Sequence, residues 1–240
     1  MKSLRFLPLP GLVLLAINAG AAPISISSGP LNSLIPDQSN TGIAYTLTVP
    51  ESLILTSVSL SLNLSVPAGS FGWFGDLYAY VQHDSGFSVL LNRPGRDTGN
   101  IAGYDDGQAI NVTFADGAPN GDLHTYRTAL NGDENVGLTS ALTGLWQPDG
   151  RAVDPAVTVT SDLRTATLAQ FNGLNSAGVW TLFLADLSSE AIYQIDDWSL
   201  QLEGYEEPHP DVPEASTSAA GVALAAAGVM TWLKRTRNRL

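Results

Sequence analysis

Three acidic loops are the first residues in this chain that could do chemistry. GYDDGQ carries Asp105 and Asp106, ADGAPNGD carries Asp116, Asn120 and Asp122, and NGDEN carries Asp133, Glu134 and Asn135. Carboxylates, amides and turn carbonyls are hard oxygen donors, the set that suits a cation such as calcium taking six to eight ligands. None of the three has the spacing of a helix–loop–helix calcium loop. Asp, Asn and Gly also populate β-turns for conformational reasons alone, so the loops equally read as solubilising turns. The histidines are His83, His124 and His209. No nucleophile elbow, zinc-binding HExxH, phosphate-binding loop or cysteine accompanies them, and the chain has no Cys at all. The residues therefore point to a protein that is not an enzyme, with a hydrolase assembled from scattered Ser, Asp and His as a distant alternative. A third chemistry is stacking. FGWFG clusters Phe71, Trp73 and Phe74, with Tyr104 and Trp146 in other loops, and exposed aromatic rings of this kind stack on sugar faces. The same rings also close the ends of β cores.

The elements that would position these residues are strands. In SVSLSLNLSV the apolar Val58, Leu60, Leu62, Leu64 and Val66 alternate with Ser and Asn, a period of two that predicts a half-buried strand. GVWTLFLADL and DDWSLQLEG repeat the alternation, and they predict that Trp180 and Trp198 lie in the core with each indole N–H on a backbone partner. Two further strands are expected around Leu77–Gln82 and Phe87–Leu91, joined by a hairpin at His83–Gly86. Gly-, Asp- and Pro-rich stretches separate these runs, and no long segment carries a helical stripe. The expectation is an all-β, antiparallel β-sandwich.

Charge divides the chain sharply. Between Ala22 and Asp211 there is no Lys, and five arginines against 22 acidic residues leave −17. Such a body repels phosphates, so nucleic acid is excluded as a partner. The remaining basic residues sit at the two ends beside apolar runs. Lys2 and Arg5, the apolar Phe6–Ala19 and the small Ala19-Gly20-Ala21 have the layout of a signal peptide over residues 1–21. At the other end, residues 205–217 form a polar linker, 218–233 an uncharged run, and 234–240 a tail with Lys234, Arg235, Arg237 and Arg239. Sixteen residues of helix span roughly 24 Å, short of the ~30 Å hydrocarbon core. Flanking basic side chains that snorkel extend the reach.

Two resemblances follow from these motifs. VPEAST, then an apolar run and a basic cluster, resembles the PEP-CTERM sorting signal. Val212, Pro213 and Glu214 match the start of the motif, and Ala215 stands where the second Pro is usual. The resemblance implies an exosortase-type sorting enzyme as partner, passage through the inner membrane by an apolar C-terminal helix, and delivery to the cell surface or matrix. The second covers residues 55–204, after an N-terminal extension and first strand over 22–54. FGDLYAYVQHDSGFSVLLNRPG, NVTFADGA, GLWQPDGR and the closing FNGLNSAGVWTLFLAD…DDWSLQLEG resemble the P domain of proprotein convertases and bacterial subtilases. That implies a jelly-roll, galactose-binding-like sandwich and bound Ca²⁺, with Asp116 and then Asp76 as the matched ligands. No protease domain accompanies it in the sequence. Residues 137–167 read as additional loop. Together these imply an exported, non-catalytic protein with a structural or adhesive role in the matrix, with an exopolysaccharide-binding module as the alternative.

Overall fold

The computed structural model describes residues 21–207. Most of the signal peptide, the sorting motif at Val212–Glu214, the uncharged run 218–233 and the basic tail 234–240 lie outside the described residues.

The described chain is all-β, with ten strands in two sheets. In chain order they are β1 (Ile24–Ser27), β2 (Ser33–Leu34), β3 (Ile43–Val49), β4 (Ile54–Ser65), β5 (Leu77–His83), β6 (Gly86–Asn92), β7 (Ile110–Ala115), β8 (Leu142–Trp146), β9 (Gly178–Asp186) and β10 (Gln194–Tyr205). One sheet runs β1-β10-β4-β7-β8, with β2 also paired to β10; the other runs β3-β9-β5-β6. Pairing is antiparallel except between β7 and β8, which run parallel, so the expectation of an antiparallel sandwich holds in all but that pair. Residues 22–54 are more than an extension. Their strands β1 and β2 pair with β10, and β3 pairs with β9, so they complete both sheets.

Alternation dictates this layering. Along β4, Val58, Leu60, Leu62 and Leu64 are buried while Ser57, Ser59, Ser61 and Asn63 face outward. Along β9, Trp180, Leu182 and Leu184 are buried and meet the inward residues of the first sheet in one hydrophobic cluster. That outward-facing polar row makes cross-strand hydrogen bonds, Ser61 with Thr113 at 2.8 Å and Asn63 Nδ2 donating to Asp197 at 2.7 Å. The predicted hairpin forms between β5 and β6, with Asp84 in the left-handed region at φ 48°.

Both tryptophans are fully buried, as alternation requires. Only one finds the expected backbone partner: Trp180 Nε1 donates to Ser176 O at 3.0 Å, whereas Trp198 Nε1 has none. The short helix α1 (Tyr126–Asn131) was not legible as a stripe, because six residues are fewer than two turns. It ends on Gly132 in the left-handed conformation, a conformation glycine adopts without a Cβ clash.

Candidate functional site

The sequence-predicted residues separate into different surroundings. Asp116 is a cap. Its carboxylate accepts from Leu168 N at 3.3 Å, Ala169 N at 2.5 Å and Thr167 Oγ1 at 3.0 Å, holding the first turn of the 3₁₀ segment Leu168–Phe171. Three donors share its two oxygens, which is the hydrogen-bond set of a cap. Asp106 is buried and accepts from Tyr126 Oη, Arg127 Nε at 2.7 Å and Leu138 N at 2.6 Å. Asp105 takes the other end of Arg127, which lies 4.5 Å over the Tyr104 ring. Asp133 caps its own turn through Asn135 N. These loop acids are structural anchors.

The histidines are sealed in as well. His83 Nδ1 lies 3.0 Å from Val179 O and Nε2 2.7 Å from Asn175 O. His124 has Nδ1 at 2.7 Å from Asp149 and Nε2 at 3.0 Å from Arg96 O. Neither is free to take a substrate proton. The loop aromatics also divide: Trp146, Phe74 and Tyr104 are buried, which leaves Trp73 and Phe71 partly or fully at the surface. Trp146 belongs to β8 rather than to a loop.

Asp76 has a different setting. It closes the 3₁₀ turn Phe74–Asp76 ahead of β5, and it is buried. The β5–β9 register places its neighbour Leu77 opposite Asp186, the last residue of β9. Asp186 is fully buried, and its Oδ2 has no hydrogen-bond partner. Burial, then the nearby Asp76 and Asp37, push the Asp186 carboxyl up to about 7. Burial also raises Asp76, against the pull of Ser188 and Arg93. The Arg93 guanidinium stands 3.9 Å from Asp76 Oδ1, while its Nε donates to Gly75 O at 2.7 Å.

The second feature is the outer face of the four-stranded sheet. Alternation that buries Leu77, Ala79 and Val81 turns Tyr78 and Tyr80 outward, and the same logic turns Phe183 outward on β9. Tyr80 and Phe183 stack at 4.8 Å with planes 17° apart; Phe87 lies 5.0 Å from Tyr80, and Tyr78 6.0 Å. Burial and the proximity of Tyr80 and Asp149 push the Tyr78 phenol up to about 12. A groove of about 600 Å³ runs along this stack, walled by Arg93, Leu187 and the segment Asp154–Ala156.

That wall belongs to the stretch expected as extra loop, and a buried polar network fixes it. Asp149 is fully buried, binds His124, accepts from Asn92 N at 3.2 Å and pairs with Arg151 at 3.2 Å. Asn92 Nδ2 donates to Arg151 O and Val153 O, and Arg96 donates to Ala156 O and Thr158 O. A buried charge is tolerated only when paired and hydrogen-bonded, so this network and the loop position stand or fall together. The Tyr-x-Tyr alternation was the available signal for the aromatic face. Nothing in the spacing announced Asp186 or Asp149.

No group of three or more acidic, His or Cys side chains is arranged around a metal position among the described residues. No helix among them is long and apolar enough to cross a membrane.

No family model matches the chain, and no curated protein does. Among solved structures, the chain is similar to the serine protease of Aeromonas sobria in complex with its chaperone. The identity is 13% and the TM-score 0.41, over 79% of this chain and 27% of that one. For the same protease alone the values are 13% and 0.39, over 78% and 27%. This chain thus spans about a quarter of the length of those it matches. The neighbours found are chains of a serine protease, and on that finding the expected structural or adhesive matrix role, with its exopolysaccharide-binding alternative, is withdrawn.

Proposed function

We propose that the chain is a P-domain-like recognition module that grips an extended, basic segment of a polypeptide partner along the aromatic groove. The observation that carries this reading is the stack of Tyr78, Tyr80, Phe87 and Phe183 on the solvent side of a sheet. The outer face of the opposite sheet is mostly polar at the outward positions of β4, β7 and β10, with Ser, Thr, Asn and Gln beside Asp197 and Glu203, as a solvated face requires. A cluster of four aromatic rings on one outer face marks a surface suited to a partner.

Charge selects the partner's chemistry. All five arginines of the body hydrogen-bond to the protein's own carbonyls or carboxylates. The body keeps its −17 with its cations already committed. A segment bearing Lys or Arg is drawn to such a body, and its aliphatic stems cover aromatic rings while a charged head meets Asp154 in the groove wall. The jelly-roll topology, the export signal over residues 1–21, the exosortase as sorting partner through Val212–Glu214 and transit of the membrane through 218–233 belong to the same reading. The export signal rests on its charge and apolar layout, and the others on the sequence resemblances.

Fluorescence polarisation with labelled extended peptides tests it. Lys/Arg- and Pro-containing peptides bind, matched acidic peptides do not, and binding weakens as salt rises from 50 to about 500 mM. Phe183→Ala with Tyr80→Ala removes at least tenfold in affinity. Absence of binding by peptides of either charge, or equal affinity in the double variant, overturns the reading.

A further inference from the structure

We propose that the free edge of β3 receives the partner's extended basic segment as an added strand. The proposal rests on the basic-segment reading of the aromatic groove and fixes where that segment's backbone lies. An edge strand presents unpaired N–H and C=O groups, and proteins blunt such edges by shortness, breaks in the pleat, charge or cover. Three of the four edges among the described residues are blunted. β1 has four residues, and β2 on the same side of β10 has two. β8 has five, with Gly144 at φ 103° in its middle and the Thr143 carbonyl taken by the Trp146 indole. The outer edge of β6 is covered: Val89 N donates to Ala166 O, and Asp149 N and Gly150 N donate to the carbonyls of Leu90 and Val89.

β3 carries none of these devices. It runs seven residues without a charge, a Gly or a Pro, and its register with β9 is unbroken. Alternate residues of a strand point their main-chain groups to opposite neighbours. β9 takes one set, and the other has no main-chain partner among the described residues. The outward side chains Ala44, Thr46 and Thr48 are short and exposed. Phe183 leans across this side: a side-chain carbon at Gly42, just before β3, would come within 2.6 Å of Phe183 Cζ. The aromatic stack therefore extends over the start of β3, where Asn40 also lines the groove. A strand laid ~4.8 Å outside β3 sets alternate side chains beside Ala44, where a Lys or Arg stem reaches the edge of the Phe183 ring. Main-chain bonds hold the segment, and the aromatic stack selects its side chains.

Charge decides the occupant. The edge is neutral, Glu51 is exposed just past its end, and the body around it is acidic. Two such bodies repel each other, whereas a segment bearing Lys or Arg is attracted. The test titrates the full chain with a labelled, Pro-free heptapeptide alternating Lys with Val, read by fluorescence polarisation and by residue-resolved amide hydrogen exchange. N-methylation at alternate peptide residues lowers affinity about three- to tenfold per lost bond, and methylation at the intervening residues leaves it within about twofold. In the free protein alternate amides of β3 exchange fast, and saturating peptide slows them by about tenfold or more. A peptide that binds and loses affinity in Phe183→Ala with Tyr80→Ala, yet shows no methylation pattern and no protection of β3, overturns the strand addition and leaves the groove reading standing. No binding by the unmethylated peptide overturns both. Slow exchange of every β3 amide in the protein alone means that a second copy or another part of this chain holds the edge, and it overturns the proposal.

Discussion

The His83 imidazole lies flat on the Trp180 indole, ring centroids 4.2 Å apart and planes 4° from parallel. The stack joins β5 to β9, where the two residues are directly paired in register. Phe171 tilts against the same indole, ring centroids 4.8 Å apart. His83 also stands within hydrogen-bond reach of two carbonyls, those of Val179 and Asn175, and a single ring N–H satisfies one of them. His83→Leu keeps the bulk and strands that carbonyl, worth about 1–3 kcal/mol when left unpaired. The expected outcome is a loss of about 1–3 kcal/mol in urea unfolding with an unchanged m-value. Trp180→Ala, which empties the core position, costs at least as much, about 3–5 kcal/mol.

Arg127 gives a sharper contrast between two neighbouring acids. Asp106 is buried beneath it, and Asp105 is exposed at 61% of its side chain. Arg127→Ala leaves Asp106 charged and buried, an arrangement that costs about 3–5 kcal/mol. Asp105→Asn removes only the exposed half of the fork and costs under about 1 kcal/mol. Denaturant midpoints of the two variants separate the cases. Equal losses would show that the exposed acid matters as much as the buried one.

Strand alternation made much of this legible. SVSLSLNLSV, GVWTLFLADL and DDWSLQLEG place their buried residues on one face because the strand period of two leaves no alternative register with an apolar core. The same rule turned Tyr78 and Tyr80 outward, although their pairing with Phe183 depends on which strands are neighbours. That is a long-range fact: β9 enters between β3 and β5 from about a hundred residues away. The acids were harder to read. Asp116 and Asp186 look alike in sequence, each next to an alanine at the end of a strand. One sits at the surface above three donors and the other in the core beside a second carboxylate. Burial and neighbours, not residue type or spacing, separate an exposed cap from a buried carboxylate whose charge is disfavoured. The parallel pairing of β7 and β8 was likewise hidden, since a strand's sequence does not state its partner's direction.

Asp116→Ala tests the cap. The Leu168–Phe171 turn packs against β4 and β6, and loss of its cap costs about 1 kcal/mol while leaving peptide affinity unchanged. An unchanged denaturant midpoint would show that the three donors find other partners.

The groove makes a prediction about stability as well as binding. Phe183 lies on the outer face and is half-buried, so Phe183→Ala costs less than the ~3–5 kcal/mol of a core aromatic while removing the centre of the aromatic stack. A midpoint shift of a few degrees with a tenfold or greater loss of peptide affinity is expected. Loss of affinity only in proportion to unfolded protein would mean that the face is structural.

Asp186 contributes a pH dependence to the stability of the protein. Its folded carboxyl is held at about 7, above the ordinary carboxylate value, because burial and the nearby Asp76 and Asp37 disfavour the charge. The folded state therefore binds a proton that the unfolded chain has already released between the two values. Stability from this group is fully present below the ordinary carboxylate range and is lost as pH rises through about 7. The melting midpoint is expected to fall from pH 5 to pH 8, and Asp186→Asn flattens the fall. A midpoint that rises with pH over this range would place Asp186 outside this equilibrium.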